Sequence, residues 1–143
     1  MGIQNVREYE QTDSIASHPL IFITDDGHVR ARFWDSSRDL VSSGSSVADG
    51  TWHYLAFSRV DREHSLYLDG RLVDSSTSAT LRKAPGIPFG QIGGAYIPDS
   101  KSWSWFQGSI RDVAIVRRGM NSSEIAADAQ ADSTGAARGH EIR

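Results

Sequence analysis

The stretch Leu66-Tyr67-Leu68-Asp69-Gly70-Arg71-Leu72-Val73-Asp74 leaves a chain little choice of local structure. Two β-prone runs flank an Asp-Gly pair, and that pair supplies the positive φ angles of a tight type I′ turn. A β-hairpin is the predicted outcome, and the rest of the chain repeats the theme. Val29, Ala31 and Phe33 alternate with Arg30, Arg32 and Trp34 after a turn at Asp25-Asp26-Gly27, the period-2 pattern of a half-buried strand. Residues 20–24, 39–42, 51–60, 88–94 and 106–116 read as further strands, with a short one at Thr80-Leu81. Asp61-Arg62-Glu63-His64 reads as a charged turn, and residues 95–105 as a loop. Composition agrees: 20 Ser, 13 Gly and 13 Asp against 5 Glu favour turns over helices. One helix start is legible. Asn121 can cap, Glu124 can bond back to it three residues on, and a short helix through Ala129 is expected.

At 143 residues with 38% apolar content, the chain is about one domain and apolar enough to bury a core. A net charge of −3 gives no basic footprint for nucleic acid. Cysteine is absent, which excludes disulfides, Cys-ligated zinc, iron–sulfur clusters and thiol catalysis. No apolar run approaches the ~20 residues of a membrane helix, so no membrane insertion is expected. The start Met1-Gly2-Ile3-Gln4-Asn5 lacks the charged-then-apolar pattern of a secretory leader, so an intact secretory precursor is not expected. The histidines at 18, 28, 53, 64 and 140 show no metal-ligand spacing. No Gly-x-Ser-x-Gly elbow, phosphate loop or dinucleotide fingerprint occurs. Asn121-Ser122-Ser123 is a glycosylation sequon, but its reading as a helix cap is preferred.

Four stretches, in this order, resemble the laminin G-like branch of the concanavalin A-like jelly rolls. Asp49-Gly50-Thr51-Trp52-His53-Tyr54-Leu55-Ala56 is similar to that family's Trp-His strand. Leu66-Tyr67-Leu68-Asp69-Gly70 is similar to its hairpin. Ile92-Gly93-Gly94 follows. Phe106-Gln107-Gly108-Ser109-Ile110-Arg111-Asp112-Val113, with Met120-Asn121-Ser122-Ser123-Glu124-Ile125, resembles its closing strand and turn of helix. Pentraxins share a similar ending. The resemblance spans residues 20–127 and implies an all-β fold: an antiparallel jelly-roll β-sandwich with one short C-terminal helical turn. Family members carry more strands before the Trp-His strand than fit here, so the opening strands are expected to be missing or reduced. Residues 1–17 then form an N-terminal arm or edge strand, 18–128 the sandwich and 129–143 a disordered tail. A sheet short of strands leaves an edge that invites pairing with another chain, and a homodimer through that edge is one expectation.

The resemblance also frames the function. It implies a non-catalytic recognition module that binds carbohydrate through rim loops, on a larger secreted protein at the cell surface or outside the cell. The alternative is a protein-interaction or adhesion module using the exposed edge, and a glycosidase-related domain ranks third. Glycosidases of this fold carry a Glu-x-Asp-x-x-Glu array, and the five Glu here, at 8, 10, 63, 124 and 141, form none. No catalytic residue is assigned. For the ligand site, the aromatic loop offers Tyr96, Trp103 and Trp105 to stack on sugar faces, with Asp99 and Lys101 to bond hydroxyls. Arg30, Arg32 and Trp34 form a second candidate patch. The cofactor expectation is either none or Ca2+, a hard cation that takes carboxylate and carbonyl oxygens. Asp99 and Asp112 are the candidate ligands, with Asp25 and Asp26 behind them. Arg111 stands where relatives often have an acidic residue, which counts against a metal there.

Overall fold

The computed structural model describes residues 2–4, 20–32, 38–42, 44, 46–78, 89–97 and 102–133, with side chains at all of these except 2–4, 89–91, 95–97 and 102–103. Thr80, Leu81, Phe33 and Trp34 lie outside the described residues.

The hairpin anticipated at Asp69-Gly70 is present. β6 (Glu63–Leu68) and β7 (Arg71–Thr77) pair antiparallel across it. Asp69 and Gly70 sit at φ 51° and 77°, the left-handed values that Asp tolerates and Gly adopts freely. β5 (Leu55–Val60) joins on the other side, in the order β5-β6-β7. A second three-stranded sheet runs β2 (Ile21–Ile23), β3 (Val29–Ala31) and β4 (Leu40–Val41). Its first turn uses Gly27 at φ 79°, as the Asp25-Asp26-Gly27 signal predicts. Two ribbons complete the strands: β1 (Gly2–Gln4) with β8 (Phe89–Gln91), and β9 (Gly94–Ile97) with β10 (Ser102–Trp105). Every ladder is antiparallel, and the architecture is the expected β-sandwich.

Val29, Ala31 and Leu40 of one sheet meet Leu66 of the other, with Ile21, Val47, Leu55, Phe57 and Val73 packed around them. Burying one such side chain contributes about 1.5–3 kcal/mol. Two polar contacts lie within this packing. Val29 N–H donates to Ser42 Oγ at 2.9 Å, and His64 Nε2 lies 3.2 Å from Ser78 Oγ. On the opposite face of β6, the helix α1 (Ser122–Ser133) covers the hairpin. Tyr67 Oη meets Ser122 Oγ at 3.1 Å. Gly70 lies so close to α1 that a Cβ there would stand 3.0 Å from that of Ala129.

Five expectations need correction. The strand expected over 51–60 starts only at Leu55. Aspartate side chains take the main-chain donors before it: Thr51 N–H donates to Asp49 and Tyr54 N–H to Asp69, in competition with any ladder. His64 is a fully buried strand residue, because Asp61 at φ 52° lets the turn close within two residues. The 95–105 loop is a hairpin, since Ser102-Trp103-Ser104-Trp105 has strand periodicity and pairs residue for residue with 94–97. The helix runs to Ser133, four residues past the expected end, carried by Ala126, Ala127, Ala129 and Ala131, the best helix formers.

The fifth concerns the expected strand 106–116, which forms no ladder. Asp112 at φ 51° bends the segment in its middle. Phe106, Ile110, Val113, Ile115 and Val116 are all exposed. Among the described residues, the main chain of 107–117 makes no hydrogen bond.

Candidate functional site

The β9–β10 hairpin carries the aromatic residues anticipated from sequence. Its register sets Tyr96 opposite Trp103 and Gly94 opposite Trp105. Gly93 at φ 83° turns the chain into β9, and Phe106 N–H closes the hairpin onto Gly93 O at 2.9 Å. The Trp105 ring lies directly over Gly94. A Cβ built at Gly94 would fall 2.6 Å from Trp105 Cε3 and 2.8 Å from Cζ3. Trp105 remains 62% exposed. A ring seated on bare backbone is a flat platform, held from below and largely exposed. Phe106 packs back over Gly108 in a similar way, and Ile92, two residues before Gly94 in sequence, is also exposed. Tyr96 and Trp103 are therefore placed across from each other by the main chain, whereas Asp99 and Lys101 lie outside the described residues.

The calcium expectation fits Asp112 poorly. Its carboxylate is 75% exposed and has Arg111 Nε 3.6 Å away, a cation where a second carboxylate would be needed. Among the described residues, no three His, Asp or Glu side chains converge on a metal position. Asp25 and Asp26 serve the β2–β3 turn. Thr24 Oγ1 hydrogen-bonds Asp26, and this bond leads in holding the Asp26 carboxyl below the ordinary range. The second patch is also engaged: Arg30 and Arg32 both pair with Asp39, at 3.7 and 3.5 Å.

A constellation that the sequence did not single out surrounds His53. Its Nδ1 lies 2.9 Å from Asp69 Oδ2, and its Nε2 lies 3.1 Å from Asp49 Oδ1. Thr51 Oγ1 stands 3.2 Å from the same Nε2. Hydroxyl, imidazole and carboxylate thus follow one another in the order of a hydrolytic triad. Asp49 changes its chemistry. Asp49 Oδ1 also accepts from Thr51 Oγ1 and Thr51 N, both at 2.8 Å, so the hydroxyl proton points to a carboxylate and not to the imidazole. The bond to Asp69, and then that to Asp49, raise the imidazole above its ordinary value. An imidazole favoured as a cation is a poor general base. The Thr51 main-chain bond, ahead of those from the Thr51 and His53 side chains, holds Asp49 at about 2. These residues form a clamp that fixes loop 49–54 to the β6–β7 turn. The Asp49–Thr51 part was open to sequence reasoning, because Asp bonding two residues on is a recurrent turn. The Asp69 part joins residues 16 apart and had no sequence signal.

Beside the clamp, Trp52 is 56% exposed, and the Arg111 guanidinium lies 4.7 Å from its ring centre. Arg111 also reaches Asp132 of α1 at 3.4 Å. Loop 49–54, the segment after β10 and the helix therefore meet around one arginine.

Comparison with known proteins agrees with this architecture. The sequence pattern of the family described as the concanavalin A-like lectin/glucanases superfamily, in its laminin G-like form, matches residues 4–126. No curated protein matches the chain in sequence. Among solved structures, it is similar to a segment of an S-layer domain-containing protein from Clostridium thermocellum, with a TM-score of 0.50 and 18% identity. The similarity covers 90% of this chain and 61% of that one, so the chain spans about six-tenths of the segment it resembles. At that identity the likeness speaks for the fold. With the family pattern covering most of its length, the chain belongs to the laminin G-like, concanavalin A-like lectin/glucanases superfamily.

Proposed function

We propose that this domain is a non-catalytic recognition module that binds carbohydrate on the β9–β10 hairpin. The observation that carries the reading is Trp105, seated on Gly94 and 62% exposed. A sugar presents an apolar face of C–H groups, and a flat, largely exposed ring held from behind can stack on it. Tyr96, across the ladder from Trp103, would extend the platform, and Asp99 and Lys101 in the connection would bond hydroxyls. Calcium is not needed for stacking, so binding is proposed to survive chelation. The shortage of glutamates and the engagement of Asp49 with Thr51 and His53 support the non-catalytic reading. We place the module outside the cell or on its surface, as the S-layer domain of its structural neighbour suggests.

A glycan array with and without a calcium chelator tests this directly. Binding to at least one glycan class is expected, and Trp105→Ala should weaken it about tenfold or more, equivalent to ~1.4 kcal/mol, with an unchanged melting midpoint. Binding that survives Trp103→Ala combined with Trp105→Ala would remove the hairpin from consideration. A second reading, a protein-interaction module that self-associates through an open edge, draws on the exposed apolar residues of 105–116. A chain that binds no glycan and sediments as a dimer would favour it.

A further inference from the structure

We infer that His53 is a proton-operated latch, closed when the imidazole is charged and open when it is neutral, fastening loop 49–54 to the β6–β7 turn. Each ring nitrogen faces a carboxylate oxygen, an arrangement that two N–H donors satisfy best. Nδ1 faces Asp69 at 2.9 Å and Nε2 faces Asp49 at 3.1 Å. Only the imidazolium carries a proton on both nitrogens. Neutral His53 keeps one, so a lone pair faces a carboxylate oxygen, and relief at Nε2 requires Thr51 Oγ1, 3.2 Å away, to turn its proton from Asp49; either way the clamp loses a bond. The ring is 17% exposed, whereas Asp49 and Asp69 are 46% and 51% exposed, so on opening water solvates the carboxylates more readily than the ring.

The charged groups around the latch come from each neighbouring element. Asp49 belongs to the loop itself and Asp69 to the β6–β7 turn. On the Trp52 side stand Arg111 and, through it, Asp112 and Asp132 of α1. The two carboxylates in contact with the ring both favour the cation. Their effect is to raise the imidazole above its ordinary value, Asp69 leading. The sign follows: the closed latch is complete below about pH 6.5, the ordinary imidazole value, and is lost as pH rises through the raised value of the folded chain.

The loop has a secondary anchor. Asp69 Oδ1 accepts from Tyr54 N–H and Asp69 N–H donates to Tyr54 O. Opening therefore loosens the loop without unfolding the hairpin. Trp52 lies next to His53 in the chain, so opening releases the Trp52–Arg111 contact and changes how loop 49–54 meets the segment after β10. This inference stands apart from carbohydrate binding and holds whether or not a sugar occupies the hairpin.

Amide hydrogen exchange on the full chain, corrected for its intrinsic pH dependence, gives the test, alongside nuclear magnetic resonance titration of the His53 ring. Protection at Thr51, whose N–H is held by Asp49, should fall several-fold through the same pH range in which His53 loses its proton, whereas Tyr54 N–H keeps its bond to Asp69. Protection in the β6–β7 ladder should stay constant. His53→Gln should remove the pH dependence. Should that variant fail to fold, Asp49→Asn serves instead, moving both the His53 titration and the loss of protection to lower pH. Protection that stays flat while His53 titrates would overturn the latch. So would pH dependence that persists in His53→Gln, or that Asp49→Asn leaves in place.

Discussion

A single absent methyl decides what Trp105 can do. With hydrogen in place of Cβ at Gly94, the indole lies against the main chain, and any larger residue would meet it at 2.6–2.8 Å. Gly94→Ala is expected to lift the ring from its seat while changing stability by about 1 kcal/mol or less, since the far end of an exposed side chain can move. The measurement is a shift in tryptophan emission with a nearly constant melting midpoint, accompanied by weaker glycan binding. An unshifted spectrum would show that the seat does not hold the ring. At this scale the sequence was informative about types and silent about partners. The aromatic residues of the hairpin could be named in advance. That Gly94 would carry Trp105 depends on a cross-strand register, and in a hairpin register hangs on the type and length of the connecting turn, for which residues 98–101 carry no sharp signal. His53 is the stronger case, because its two carboxylates come from separate turns.

Elements announce themselves where the signal is local. Asn121 Oδ1 accepts from Glu124 N–H at 3.0 Å, and Glu124 Oε2 accepts from Asn121 N–H at 2.9 Å, the reciprocal capping box the sequence predicts. Arg118 reinforces it, pairing with Glu124 at 2.7 Å. Asn121→Ala should cost about 1 kcal/mol, read as a lower denaturant midpoint with an unchanged slope. An unchanged midpoint would mean that packing on the β6–β7 hairpin alone holds the helix start. The same locality made the Asp69-Gly70 and Asp25-Asp26-Gly27 turns legible. Elements failed to show where distant groups decide. Residues 51–54 have strand composition but lose their main-chain donors to Asp49 and Asp69. Residues 106–116 have strand alternation, yet Asp112 interrupts it and no neighbour pairs with it among the described residues.

Over the whole molecule, the sandwich is held by a small core and by a side-chain clasp between its sheets. Arg38 reaches both carboxylate oxygens of Asp74, at 2.6 and 2.8 Å, and the main chain at Ser75. Asp74 also accepts from Val41 N–H at 3.0 Å. A β-bulge between Leu66 and Tyr67 in the β6–β7 register adds a residue to β7 and aims this carboxylate across the gap. The class of fold was legible because one half of the core lies in the alternating run of β3 and the other in the β-prone hairpin around Asp69-Gly70. How the halves meet was not, since the clasp joins residues 36 apart. The clasp has one more consequence. Val41 N–H lies on the outer side of β4, where an unpaired donor would otherwise template a foreign strand, and Asp74 covers it. Its partner Arg38, first among the causes, keeps that carboxyl ionised below the ordinary range. Strong acid should therefore uncover the β4 edge before the core fails. Light scattering that rises in acid while far-ultraviolet dichroism is still native, and earlier in Asp74→Asn, would reveal an aggregation gate set by one side chain. Scattering that rises only after the dichroism is lost would place the onset in general unfolding instead.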